Sequence, residues 1–164
     1  MDSSIFDAYW AERQPDRSDM AEFWTRRASS FNAHGGEADS SAYRQSLVSK
    51  VAARAGICRQ DAVLDVGCGP GRHALEFAQL AGSVEGSDIA PGMIECAKAN
   101  ALETKVSNAS FRVLDWAEAD LKMLGWVKRF KLVFASRTPA IYDRSTLNKM
   151  TEASSGYCCL LTQV

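Results

Sequence analysis

Apolar positions along the first part of the chain recur at helical spacing. Phe6, Tyr9 and Trp10 fall at i, i+3 and i+4, and Met20, Phe23 and Trp24 repeat the pattern, so each set lines one helix face. "NAHGGEADSS" interrupts the period with two glycines and small polar residues and reads as a loop. Tyr43, Leu47, Val51 and Arg54 then share a face of a helix predicted from Ser41 to Ala55, which Gly56 ends. Beyond it the period changes. "AVLDV" is a short apolar strand, "RHALEFAQLA" a helix closed by Gly82, and "SVEGSD" a second strand. "PGMIECAKANALE" is a further helix with Pro91 in its first turn, where a missing N–H costs nothing. "SFRVLDW" and "KLVFAS" predict strands three and four, "RSTLNKMTEAS" a helix and "GYCCLLTQV" a fifth strand. Strands alternating with helices predict an α/β fold, a parallel sheet covered on both faces. The chain thus divides into an N-terminal helical segment, residues 1–40, and an α/β domain, residues 41–164.

Composition narrows the partners more than the fold. A chain of 164 residues accommodates one domain with a proper core. Its net charge of −1 offers no overall basic surface for non-specific nucleic-acid binding. No apolar run approaches the ~20 residues that span a bilayer, and the acidic start "MDSSIFDAYW" lacks the order of a secretory signal. The five cysteines have no two-residue spacing and their odd number resists a disulfide framework. A soluble, cytoplasmic protein with reduced thiols and no metal site is expected.

The chemistry concentrates in "VLDVGCGPGRHALEFA", residues 63–78, where three glycines follow the first strand at alternate positions. In an open α/β sheet this turn lies at the carboxyl end of the strands, where ligands bind. Gly67, Gly69 and Gly71 permit positive φ and close approach of a ligand to the backbone, and the following helix aims its free N–H groups at the same space. The dinucleotide fingerprint requires a glycine where Arg72 stands, and the phosphate P-loop requires a Lys-Ser or Lys-Thr pair that is absent. Asp65, two residues before the first glycine, would repel a pyrophosphate and suits a cationic amine.

This stretch resembles motif I of the class I S-adenosylmethionine-dependent methyltransferases, an acid-x-Gly-x-Gly-x-Gly pattern after strand one. "VEGSDIAPGMIECAKANA" is similar to the family's second-strand segment and "FRVLDWAEADL" to its third. "FKLVFAS" sits where the fourth strand belongs, with Lys131 in place of the more usual acid. "FWTRRASSFN" is similar to a segment that precedes the fold in many small-molecule methyltransferases, with Phe31 replacing a tyrosine. The resemblance implies a Rossmann-like, doubly wound, mainly parallel sheet and the cofactor S-adenosylmethionine, with S-adenosylhomocysteine as product. It also implies the site. Asp88 would accept both ribose hydroxyls, Ile89 and Met93 would sandwich the adenine, and Asp115 would accept from its N6 amine beside the backbone N–H of Trp116. Backbone groups at Gly67 and Ala135 would meet the methionine part, with Asp65 balancing its ammonium. Cys68 fills the loop, and Trp24 and Phe31 form part of a lid.

Several of these residues also have plain structural readings. Asp88 would cap the next helix, Asp115 would end its strand in a polar turn, and Met93 would be core. The resemblance implies methyl transfer to an O, N, S or C atom but carries over no catalytic residue. The "SRTPAIYD" segment lacks the Pro-Pro-aromatic cluster of base-nitrogen methyltransferases and the paired glutamates of arginine methyltransferases, which favours a small-molecule acceptor; Arg137 and Tyr142 would be near it if the loop after strand four lines the site. The alternation stops at the fifth strand, so the family's C-terminal strands are expected to be missing. An unpaired "YCCLLTQV" edge would then join two copies in a homodimer. A non-catalytic S-adenosylmethionine-binding module and a dinucleotide-dependent oxidoreductase remain the other classes.

Overall fold

The computed structural model describes residues 17–34 and 40–162. Phe6, Tyr9 and Trp10, the first predicted helix face, lie outside the described residues. Helices α1 (Arg17–His34) and α2 (Ser41–Ala55) precede β1 (Ala62–Val66), α3 (Arg72–Ala78), β2 (Ser83–Asp88), α4 (Pro91–Glu103) and β3 (Ala109–Val113). Strand β4 (Phe130–Ser136), α5 (Arg144–Ala153) and β5 (Ser154–Leu161) complete the series.

Local signals explain the boundaries. Ser40 caps α2 by accepting from the Tyr43 N–H at 3.3 Å. Gly56, at φ 62°, ends the same helix, and the Ile57 N–H reaches back to Ala52 O at 2.9 Å. Helix α5 opens on a capping box: the Asp143 carboxylate accepts from Thr146 N at 2.7 Å, and Thr146 Oγ1 accepts from Asp143 N at 3.2 Å. Helix α2 buries Val48, Ala52 and Ala55, whereas Tyr43 is exposed. The predicted face is therefore rotated: Leu47 and Val51 flank the buried stripe, and Tyr43 lies off it.

All five strands are parallel, in the order β3-β2-β1-β4-β5. From the central β1 the chain winds first through β2 to β3 and then crosses to β4 on the other side. Val63 pairs with both Val84 and Leu132, and Asp65 faces Gly86 and Phe134 across the same two ladders. One sheet face packs Val63, Leu132 and Phe134 against α2, α3 and α4 through Val48, Phe77 and Ile94. The other packs Leu64, Val66 and Val133 against Met150 of α5 and against Trp116, Leu121 and Trp126. Those last three belong to residues 114–129, a run of turns where the doubly wound pattern leads one to expect a crossover helix. Strand β3 ends at Val113, three residues before the predicted end at Trp116. The reason is local: the Asp115 carboxylate accepts from Ala117 N at 3.0 Å, closing a turn that tips Trp116 into the core.

Candidate functional site

The winding reverses between β1 and β4, and at the carboxyl ends of those strands a cavity of about 540 Å³ opens. Its floor is the turn between β1 and α3. Gly67, Gly69 and Gly71 all have positive φ, at 66°, 52° and 78°. The Cys68 N–H continues the ladder to Ser87 O at 2.9 Å, and the Gly71 N–H closes the turn on Cys68 O at 3.0 Å. Asp88, at the end of β2, locks this turn from the side. One carboxylate oxygen accepts from Gly69 N and the other from Ala90 N, each at 2.9 Å. Burial raises the Asp88 carboxyl above its ordinary range, and the N–H groups of Ala90 and Gly69 oppose the shift.

Asp65 lies deeper. Burial, aided by the nearby Asp88 charge, pushes its pKa up to about 8, against the backbone N–H of Ala74. Its Oδ2 is buried without a hydrogen-bond partner, as are the hydroxyls of Ser87 and Ser136, and all three residues line the cavity. Buried polar groups are normally paired. Three orphans around one cavity make it a candidate site for a polar ligand. Cys68 is also buried there, and burial pushes its thiol well up, which keeps it from acting as a thiolate nucleophile.

Two further walls complete the cavity. Helix α1 contributes Met20, Trp24 and Phe31, with the rings of Trp24 and Phe31 edge to face at 6.0 Å. This helix is fastened at several points. Asn32 and Asn100 exchange amide hydrogen bonds at 2.9 and 3.2 Å, and Asn100 also donates to Pro70 O at 2.9 Å. Arg72 donates to Phe31 O at 2.9 Å and Asn32 O at 2.7 Å, placing a cation at the C-terminal end of α1. The opposite wall is the turn after β4, Ser136–Ala140. Thr138 closes over the floor so tightly that a Cβ at Gly67 would meet Thr138 Oγ1 at 1.9 Å. Arg137 holds φ 48°, an uncommon value for a side-chain-bearing residue, while its N–H bonds Leu161 O at 2.8 Å.

A family profile described as a methyltransferase domain matches residues 58–160. The chain belongs to that methyltransferase domain family. Among curated proteins, aklanonic acid methyltransferase DauC of a Streptomyces species is 48% identical over 56 residues, 32% of this chain and 26% of the relative. The 23S rRNA (uracil(1939)-C(5))-methyltransferase RlmD of Marinomonas posidonica is 37% identical over 71 residues, 43% of this chain and 16% of the relative. The chain thus spans about a quarter or less of the length of these curated relatives. A solved putative S-adenosyl-L-methionine-dependent methyltransferase from Methanococcus maripaludis superposes with a TM-score of 0.70 at 14% identity, over 83% of this chain and 62% of that one. Magnesium protoporphyrin IX methyltransferase from Synechocystis, solved with S-adenosylhomocysteine, gives 0.65 at 17% identity, over 85% of this chain and 68% of that one. At such identities the likeness speaks for the fold, the Rossmann-like sheet predicted from the sequence.

Within this methyltransferase domain, every candidate residue except Gly71 and Ala135 lines the cavity. Gly71 instead caps α3 and packs against the sheet: a Cβ there would come within 2.9 Å of the Phe111 ring and 3.0 Å of Ala97. Ala135 is fully buried in the second core, under α5. Arg137 lines the cavity and Tyr142 does not. Met20, Ser87, Ser136 and Thr138 line it without having been singled out. Only Ser87 left a usable trace, a polar residue directly before Asp88 in an otherwise buried strand.

Proposed function

We propose that the chain binds S-adenosylmethionine in this cavity and serves transfer of its methyl group to a small-molecule acceptor. The observation that carries the reading is the glycine turn held by Asp88 above the buried, partnerless Oδ2 of Asp65. An anionic pyrophosphate would meet two carboxylates there, whereas an ammonium would meet its counter-ion. Asp88 has used one acceptor site on each oxygen for the turn and keeps others for a pair of ribose hydroxyls. Ile89 and Met93 offer apolar contacts for a flat base, Asp115 an acceptor for its amine, and Trp116 a backbone donor. The backbone of Gly67 is assigned to the methionine part, Ala135 lying too deep in the second core to reach it, and Trp24 and Phe31 cover the whole from α1.

When bound, the sulfonium supplies an already activated methyl group. The protein's task is therefore alignment and exclusion of water. In this reading Thr138 and Ser136 are assigned to the acceptor side and Trp24 and Phe31 to the cover, all four lining the cavity. The likeness to aklanonic acid methyltransferase DauC and the net charge of −1 favour a small organic acceptor over a nucleic acid. The free cysteines among the described residues suit a cytoplasmic location. Strand β5 hydrogen-bonds β4 alone among the described strands, and the reading extends to a homodimer formed through that edge. Light scattering that returns a monomer at high concentration refutes the dimer without touching the rest.

Isothermal calorimetry with S-adenosylmethionine, S-adenosylhomocysteine and NAD tests the main reading. Binding of either sulfur nucleoside and not NAD is expected. Binding of NAD alone would replace the reading with a dinucleotide enzyme.

A further inference from the structure

Lys149, on α5, lies some thirty residues from Trp116, yet its ammonium is spent entirely on the turn that carries it. Nζ donates to the carbonyls of Trp116 at 3.3 Å, Ala117, and Ala119 at 2.9 Å. An ammonium has three N–H donors, and all three converge on a single turn. A second clamp lies beside the first: the Trp116 indole N–H donates to Thr146 O at 2.9 Å. Thr146 in turn belongs to the capping box that starts α5. The clamped turn is the one that carries Asp115, whose carboxylate is bound back to Ala117 N at 3.0 Å. Residues 114–129 have no helix of their own to fix this turn.

We propose that Lys149 is a positioning residue for base recognition. Through the carbonyls of residues 116, 117 and 119 it sets the Asp115 carboxylate and the Trp116 backbone N–H in the cavity wall, and so lets the site distinguish a 6-amino purine from a 6-oxo purine. The inference rests on the donor reading above. A carboxylate at that position accepts from an exocyclic amine and faces a second acceptor when the base carries an oxygen. Discrimination therefore depends on the turn being held, not on its being present.

The test compares calorimetric affinities of S-adenosylhomocysteine and S-inosylhomocysteine. The wild-type protein is expected to prefer the adenine compound by roughly tenfold or more, the range of a lost hydrogen bond with a repulsion added. Lys149→Met keeps the apolar stem and removes all three donors, and should bring the ratio to within about threefold. Trp116→Phe removes the second clamp, and should move the ratio the same way if Lys149→Met does not fold. A general loss of stability would weaken both ligands together and leave the ratio intact. An unchanged ratio in the folded variants overturns the positioning role while leaving the donor reading in place. A wild-type protein that binds neither compound overturns both.

Discussion

Asp65 carries a large electrostatic tension in the cavity. Its pKa is raised from 3.8 to about 8, chiefly by burial. Over that interval the folded protein holds a proton that the unfolded chain has released, so stability is full below 3.8 and is lost as pH rises through 8. Asp65→Asn should flatten this slope and raise the melting temperature of the ligand-free protein at pH ~8–9, read by thermal denaturation across a pH series. Under the proposed function the same change should weaken sulfur-nucleoside binding, a trade of function for stability expected of an acid kept buried for a ligand. Asp88 answers differently because it holds the loop as well as, in the proposed function, the ribose. Asp88→Ala should lower affinity for S-adenosylhomocysteine by at least tenfold, since two charge-assisted contacts are lost. Amide exchange at Gly69 and Ala90 should quicken in the same variant. Unchanged affinity would remove Asp88 from the site.

At the scale of elements, α1 is fastened to the sheet domain at several points, of which one can be removed singly. The guanidinium of Arg72 joins the glycine turn to the last turn of α1 through two carbonyls. Arg72→Met should accelerate hydrogen exchange across α1 while β1 and β4 stay protected, and equal protection throughout would show the helix to be held by its other contacts. The strength of local signals decided which elements were legible from sequence. Strand β1, strand β2 and α4 have the predicted bounds because a period change, a terminal acid and an N1 proline mark them. The end of β3 was missed because Asp115 chose its own turn over one more ladder pair. The face of α2 was misread because Tyr43 is apolar enough to fit the period but stands clear of the sheet. The glycine turn and the acids were legible because they form a motif. The wall of residues 136–140 was legible only through Arg137, since its place over Gly67 follows from tertiary packing and from a positive φ at Arg137 that no sequence rule foretells. Lys149 was invisible for the same reason: its partners are backbone carbonyls some thirty residues away.

For the whole molecule, the central strand is where fold and site share their foundation. Leu64 is fully buried on one face of β1, and Asp65, the next residue, faces the other. Leu64→Ala should cost about 2–5 kcal/mol in denaturant unfolding. A loss under ~1 kcal/mol would mean that the second core relaxes to fill the gap. The burial of Asp65 has one more consequence, for the proton inventory of a turnover. An acid that is largely neutral in the empty cavity must ionise to meet an ammonium, so uptake of such a ligand should expel a proton and its departure should recover one. The heat of binding would then vary with the ionisation enthalpy of the buffer. Affinities measured at one pH would describe only that pH, tightening as the medium becomes more alkaline.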